Sequence, residues 1–373
     1  MTKNRNTQRV AGLTARPEQV TAMLNHQLEM LWDESTRPTD VAPLMLWGPP
    51  GVGKSSLIAE ACRSHGIELI DIRLAQRDPV DLRGLPVPKG DRVDWLLSSD
   101  WPRDPDSRGI ILFDELTAVD RSLQVAVYEL ILDRRLGSMY QVPDGWLMVA
   151  AGNRGSDRAV STVMSSALAN RFCHIEVEPD SEDWQRWAAG ADVHPDVTGF
   201  LRFSPDHFHD MEVDHERGWP SARSWERVSR LVARQQIDDA TLELMVSGLI
   251  GIGAGRAFMA FREWSSKLPD VQQMLLEPDD FALPKRADQR FALCSAMAYY
   301  LARADGETYM RCLDGFMKIG LKLPSDFAAM AMTDALIRPK DGQRPIEKLI
   351  SHELMPAWRK RHGHAFSLED QIA

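Results

Sequence analysis

The sequence predicts an α/β fold, with a parallel sheet flanked by helices in the first half and a helical second half. Continuous apolar runs end abruptly in glycine or polar residues at Leu44–Trp47, Ile110–Phe113 and Trp146–Ala151. Such runs are typical of strands in a parallel sheet, because helices cover both of its faces. Between these runs, apolar residues recur at the spacing of one helix face, and this spacing dominates from Ser181 onwards.

The segment after the first run has the composition of a phosphate-binding loop. It matches the pattern G-x-x-x-x-G-K-[ST] and lies between a predicted strand and a predicted helix. Its glycines let backbone N–H groups turn towards phosphate oxygens, and the helix that follows adds the positive end of its dipole. Lys54 is expected to reach the β- and γ-phosphates, and Ser55 to ligate Mg²⁺. The predicted nucleotide contacts of the loop are Gly48, Pro49, Pro50, Gly51, Val52, Gly53, Lys54, Ser55 and Ser56.

The second apolar run leads into two carboxylates, Asp114 and Glu115. By itself this pattern also fits a strand that ends in a solvated acidic turn. With a phosphate loop about 60 residues upstream, it favours a strand whose carboxyl end points acids at a nucleotide. Asp114 is then expected to bind the nucleotide's Mg²⁺ directly or through water, and Glu115 to act as general base on the attacking water.

The third apolar run ends at Asn153, followed by Arg154. An amide at this strand end could orient the attacking water or touch the γ-phosphate. The alternative is an asparagine that merely forms a turn, which is common.

Two segments between the strands have less certain roles. The stretch Asp78–Pro88 has too many prolines for a regular helix, so we expect a short helix followed by a protruding loop. This loop is either a surface connection or a substrate-facing element. Residues 134–145 predict a short hairpin, in which Pro143, Asp144 and Gly145 supply the turn.

The composition limits the function classes. The chain of 373 residues has a formal net charge of −10, which argues against a surface shaped mainly for nucleic acid. The four cysteines, Cys62, Cys173, Cys294 and Cys312, form no C-x-x-C pair and predict buried thiols in a reducing compartment. The histidines of segment 206–210 match no zinc spacing. The polar N-terminus and the lack of a membrane-length apolar run predict a cytoplasmic protein.

Taken together, the motifs resemble those of AAA+ ATPases, and within that superfamily those of the MoxR group. The phosphate loop corresponds to Walker A, Ile110–Glu115 to Walker B and Asn153 to sensor 1. In the segment Asn170–Phe172, Arg171 corresponds to the arginine finger, and in Pro220–Arg223 the last residue, Arg223, corresponds to sensor 2. The resemblance covers roughly residues 17–265, while the short hairpin and Arg154, where many members have proline, depart from the group.

The resemblance implies an AAA+ P-loop NTPase core, an all-α lid and a helical C-terminal region. The expected domains are 1–178, with 1–16 as a flexible arm, then 179–266 for the lid and 267–373 for the extension. It also implies a Mg²⁺-dependent hydrolysis of ATP in a homo-oligomeric ring, expected to be hexameric, with Arg171 reaching the nucleotide of the neighbouring subunit. Arg154 and Arg158 could add charge at the same boundary.

The leading function implied is a chaperone-like remodeller that matures a client complex, with a von Willebrand factor A domain protein as the expected partner. Nucleic acid is not an expected partner. Two other classes stay open: a nucleic-acid-linked AAA+ motor, and a nucleotide-dependent scaffold with little turnover. Stimulation of turnover by DNA would identify the motor.

Overall fold

The computed structural model describes residues 14–155, 162, 164–211, 217–234, 236–337 and 346–365. The chain divides into two compact units, Met1–Asp180 and Ser181–Ala373, called here the first and second units. Within the described ranges, no helix combines the length and the apolar composition that a bilayer crossing requires.

The first unit is built on a parallel sheet. In spatial order its strands are β1, β10, β2, β9, β6 and β3, and two separate antiparallel hairpins are formed by β4–β5 and β7–β8. The strands are β1 (Thr14–Ala15), β2 (Leu44–Trp47), β3 (Glu68–Arg73), β4 (Leu85–Lys89), β5 (Arg92–Leu96), β6 (Gly109–Asp114), β7 (Arg135–Leu136), β8 (Tyr140–Gln141), β9 (Trp146–Gly152) and β10 (Cys173–Val177).

Helices cover both faces of this sheet. They are α1 (Pro17–Leu31), α2 (Lys54–His65), α3 (Pro79–Arg83), α4 (Arg121–Asp133) and α5 (Ser166–Ala169). The alternation of side chains along β6 sends Ile110 and Leu112 to the core shared with α1 and α2. Ile111 and Phe113 enter the core shared with α4. Burial on both faces explains why β2, β6 and β9 appear in the sequence as continuous apolar runs.

The strand order determines which loops meet. Strand β9 lies between β2 and β6, and all three run parallel. Their carboxyl ends therefore bring the phosphate loop, Asn153 and Asp114 to one edge of the sheet.

The second unit is helical among its described residues and has two hydrophobic cores. Its helices are α6 (Ser181–Gly190), α7 (Pro195–Phe203), α8 (Ala222–Ala233), α9 (Asp239–Ile250), α10 (Ile252–Ser265), α11 (Val271–Leu276), α12 (Ala287–Arg303), α13 (Gly306–Lys322), α14 (Ser325–Ile337), α15 (Ile346–Ile350) and α16 (Met355–His362). One core joins residues of α6–α10 and the other joins residues of α11–α16, while α12 contributes to both. The domain boundary predicted after residue 266 lies between α10 and α11 and stays a prediction.

The predicted fold class is confirmed: a P-loop NTPase core, in which a parallel sheet is flanked by helices, precedes a helical region. The hairpin predicted at residues 134–145 is present as β7–β8, but residues 137–139 form its turn. Pro143, Asp144 and Gly145, which were predicted to form that turn, instead connect β8 to β9.

Three other details differ from the prediction. Thr14–Ala15 pair with β10 instead of belonging to the predicted arm, whose residues 1–13 lie outside the described ranges. The protruding segment after α3 is a β-hairpin, because Leu85–Lys89 pairs with Arg92–Leu96 across a two-residue turn. Cys173 is exposed, since it begins β10 at the rim of the sheet, while the other three cysteines are buried as predicted.

Candidate nucleotide-binding site

The phosphate loop curls because glycine occupies the positions with unusual backbone angles. Gly51 and Gly53 have φ values of 84° and 104°, a region that side chains with a Cβ rarely adopt. At Gly48 a Cβ would lie 2.7 Å from the carbonyl oxygen of Val177 on β10. Gly53 is also the N-cap of α2 and offers no side-chain acceptor to the first N–H groups of that helix. These N–H groups suit a phosphate, which is the ligand that helix N-termini commonly bind.

Lys54 is held at the centre of the site. Its side chain is buried, and Nζ donates to Gly48 O at 2.6 Å, Pro49 O at 3.2 Å and Asn153 Oδ1 at 3.2 Å. Lys54 is only 8% exposed, and its side chain extends from α2 back across the loop to the end of β9. The structure brings together Lys54 and Asn153, which the sequence placed in separate motifs.

The proposed magnesium ligands also meet. Ser55 Oγ donates to Asp114 Oδ2 at 2.8 Å, and Asp114 Oδ1 accepts the N–H of Glu115 at 2.9 Å. A hydroxyl and a carboxylate side by side are hard oxygen donors, the type that Mg²⁺ prefers. The donor set therefore fits the cation that the phosphate loop implies.

Glu115 follows the last residue of β6 and has an unusual backbone conformation. It has φ of 60°, which is uncommon for a residue other than glycine and is often found at functional sites. Its carbonyl oxygen accepts the N–H of Ala118 at 2.8 Å, which fixes the turn, and its side chain is exposed. Asp114 therefore stays against Ser55, while the neighbouring carboxylate is free to meet water.

Thr117 supports the site, a role that the sequence did not predict. The side chain is almost completely buried, and Oγ1 both donates to Asn153 O and accepts the N–H of Asn153, each at 3.2 Å. One hydroxyl thus fixes the backbone of the residue whose amide contacts Lys54. The only signal in the sequence was a polar residue shortly after the acidic pair, too common to be read as a contact with residue 153.

Arg171 lies on the surface of the first unit. Nη1 donates to Ala167 O at 2.9 Å and to the hydroxyl of Tyr128 at 3.3 Å, and the guanidinium carbon is 5.9 Å from the centre of the Tyr128 ring. Among the described residues, no hydrogen bond links Arg171 to the phosphate loop. The side chain is exposed, as a residue that reaches another molecule requires.

The remaining predicted residues are three arginines. Arg223 is exposed in the first turn of α8, in the second unit, where Ser221 caps the helix by accepting the N–H of Ser224. Arg154 is half-buried and pairs with Glu176 at 3.0 Å on β10. Arg158 lies outside the described residues. The roles of all predicted site residues stay predictions.

Comparison with known proteins gives weak likenesses. No family model matches the chain. The replication factor C large subunit of Ignicoccus hospitalis is 32% identical over 121 residues, which is 31% of this chain and 23% of that protein. The RuvB Holliday junction branch migration motor of Thermotoga maritima has a TM-score of 0.38 at 16% identity, covering 82% of this chain and 88% of that one. A candidate ATPase from Cytophaga hutchinsonii has a TM-score of 0.32 at 14% identity, covering 76% of this chain and 75% of that one.

Proposed function

We propose that this chain is a Mg²⁺-dependent ATPase of the AAA+ type and of the MoxR group, which hydrolyses ATP to ADP and phosphate. One observation carries the proposal: the ammonium group of Lys54 contacts Asn153 while Ser55 contacts Asp114, at one edge of the sheet. A cation, an amide, a hydroxyl and a carboxylate thus converge beside a glycine loop and a helix N-terminus. This arrangement fits a nucleoside triphosphate better than any other ligand class.

The residues act mainly by position and charge, since phosphoryl transfer asks for little covalent chemistry from the protein. The loop N–H groups and Lys54 bind the phosphates, and Asn153 orients the γ-phosphate or the attacking water. Ser55 and Asp114 would hold Mg²⁺, which neutralises phosphate charge when bound. Glu115 accepts the proton of the attacking water as general base.

Completion of the site requires a second copy of the chain. Arg171 is exposed and makes its contacts with α4 and α5, which supports a role towards the nucleotide of a neighbouring subunit. We therefore propose a ring, hexameric by family resemblance, in which Arg171 is the arginine finger. Arg223 on α8 would sense the γ-phosphate, and Arg154 would add charge near the subunit boundary.

The output of the cycle is proposed to be mechanical work on a client. The family resemblance favours a cytoplasmic remodeller that matures a partner complex together with a von Willebrand factor A domain protein. Supporting this, the β4–β5 hairpin presents exposed apolar side chains at Leu85, Val93, Trp95 and Leu96. Such groups suit contact with a protein surface.

The proposal is tested with Glu115→Gln and the matched surface control Glu29→Gln on α1. Loss of the general base is expected to lower turnover by about 10²–10⁴-fold, while ATP binding is kept because the phosphate contacts remain. Phosphate release gives turnover, and titration calorimetry gives binding. The control should behave as the wild type.

Two results would contradict the proposal. Unchanged turnover in Glu115→Gln removes this residue as the base, and absence of any ATP binding by the wild type removes the nucleotide site. Addition of DNA at several salt concentrations checks the motor class, which we expect to give no stimulation.

A further inference from the structure

His174 on β10 forms a hydrogen-bonded bridge between two motifs that are distant in sequence. The indole Nε1 of Trp47 donates to His174 Nδ1 at 2.9 Å, and His174 Nε2 lies 2.7 Å from the carbonyl oxygen of Ala169. The Trp47 and His174 rings also stack, with centroids 5.9 Å apart and planes at 21°. Because Trp47 has only a donor, Nδ1 must be the acceptor and Nε2 must carry the proton.

Each end of this bridge leads into a proposed catalytic motif. Trp47 is the last residue of β2, immediately before Gly48 of the phosphate loop. Ala169 is the last residue of α5, two positions before Arg171. The path from the loop to the arginine thus passes through two side chains, Trp47 and His174, and two hydrogen bonds.

The turn that carries Arg171 depends on such anchoring. Helix α5 has four residues, too few to be stable without tertiary contacts. The carbonyl oxygen of Ala169 also accepts the N–H of Phe172 at 3.3 Å, so it closes the turn around Arg171. The ring of Phe172 meets the His174 ring edge-on, at 6.0 Å between centroids. His174 therefore contacts this turn at two points, the carbonyl oxygen of Ala169 and the ring of Phe172.

We propose that His174 is a positioning residue that couples the phosphate loop of a subunit to the arginine finger of the same subunit. A shift of the loop on binding or losing nucleotide moves Trp47, and His174 transmits it to the turn that presents Arg171 to the neighbour. The state of one site thereby regulates catalysis at the next. This inference rests on the proposed function, since it requires Arg171 to act on a neighbouring subunit.

The test uses mixed assemblies in which a single kind of site can work. A Lys54→Ala subunit supplies a finger but has a disabled phosphate loop, and an Arg171→Ala subunit supplies a loop but no finger. Turnover by the mixture above that of either variant alone establishes the shared site. If the mixture gives no such gain, the proposed function fails and the inference fails with it.

His174→Phe is then placed in one subunit type at a time. This change keeps an aromatic ring and removes both hydrogen bonds. In the finger-supplying subunit we expect turnover of the mixture to fall about 10–100-fold, since a displacement of about 1 Å is costly in catalysis. In the loop-supplying subunit, which has no finger to position, turnover should change less than about threefold. Equal losses in both, or no loss in the finger-supplying subunit, overturn the inference while leaving the shared site intact.

Two further variants separate positioning from folding. His174→Gln can accept from Trp47 and donate to Ala169, so it should restore most of the turnover. Trp47→Phe in the finger-supplying subunit removes the same indole hydrogen bond from the other side, and its phosphate loop is already disabled by Lys54→Ala. It should lower turnover as His174→Phe does, and normal turnover there would show that the bridge from Trp47 does not position Arg171, which contradicts the proposal. Thermal unfolding of each variant confirms that the chains are folded.

Discussion

Backbone angles give two adjacent carboxylates in this chain different surroundings. Asp114 ends strand β6 and accepts a hydrogen bond from Ser55, whereas Glu115 has φ of 60° and is exposed. Asp114 is thus placed beside a hydroxyl, as a magnesium ligand would be, and Glu115 is accessible to water, as a general base would be. Thr117 likewise has two contacts through one group, because its hydroxyl bonds both the N–H and the carbonyl oxygen of Asn153.

His194, the N-cap of α7, predicts a pH-dependent stability. Its Nδ1 accepts the N–H of Asp196 at 3.2 Å, so the folded state uses the neutral ring. Burial lowers the pKa of His194 below the ordinary 6.5; Asp196 opposes this shift, and Arg262 and Arg303 add to it. As the pH falls below about 6.5, the unfolded chain binds the proton first, so stability is lost towards acid.

The measurement compares the wild type with His194→Asn, which keeps a capping side chain but does not titrate. Urea unfolding followed by tryptophan fluorescence gives the free energy of unfolding at about pH 7.5 and about pH 5.5, on either side of the free histidine pKa. The wild type should lose more stability between them than the variant. Burial also lowers the pKa of His362, but this residue is present in both proteins and cancels in the difference. Identical losses would contradict the prediction.

At the scale of elements, a buried ion pair joins α7 to α14. Arg202 donates through both terminal nitrogens to the two oxygens of Asp334, which is 1% exposed. Burial alone would lower the pKa of Arg202, but Asp334 outweighs it, so the pKa is raised. Arg202→Met should destabilise the chain by about 3–5 kcal/mol, since it leaves a buried carboxylate without its partner.

Chemical denaturation of three variants checks this pair. Arg37→Met, which breaks an exposed pair with Asp40, should cost no more than about 1 kcal/mol. The double variant Arg202→Met/Asp334→Leu should recover much of the loss, because it leaves no buried charge. A single variant as stable as the control would show that the pair contributes little.

The sequence predicted the elements that carry local signals. Strands β2, β6 and β9 were recognisable because both of their faces are apolar, and the glycines and charged residues at their ends pointed to the site. The hairpin β4–β5 was missed because Pro86 and Pro88 obscure its alternation and argue against a strand. Contacts between distant residues left no local trace: Trp47 and His174 are 127 positions apart, and Arg202 and Asp334 are 132 apart.

At the scale of the whole molecule, the site described in one chain is proposed to be incomplete. Lys54, Ser55, Asp114 and Asn153 meet within the first unit, but Arg171 faces outward. The formal net charge of −10 opposes the approach of identical copies at low salt. Because a neighbouring copy is proposed to complete the site, assembly and catalysis should be linked by mass action.

This linkage predicts that ATP turnover per chain depends on protein concentration. At dilutions where light scattering finds single chains, turnover should be lower by about 10³–10⁵-fold than in the assembly, which is the usual contribution of an arginine finger. Arg171→Ala should stay at the low rate at every concentration while binding ATP normally, and the exposed control Arg37→Ala should follow the wild type. Equal turnover by single chains and assemblies would mean that one chain holds a complete site, because no neighbour would then be needed to neutralise the charge that develops on the γ-phosphate.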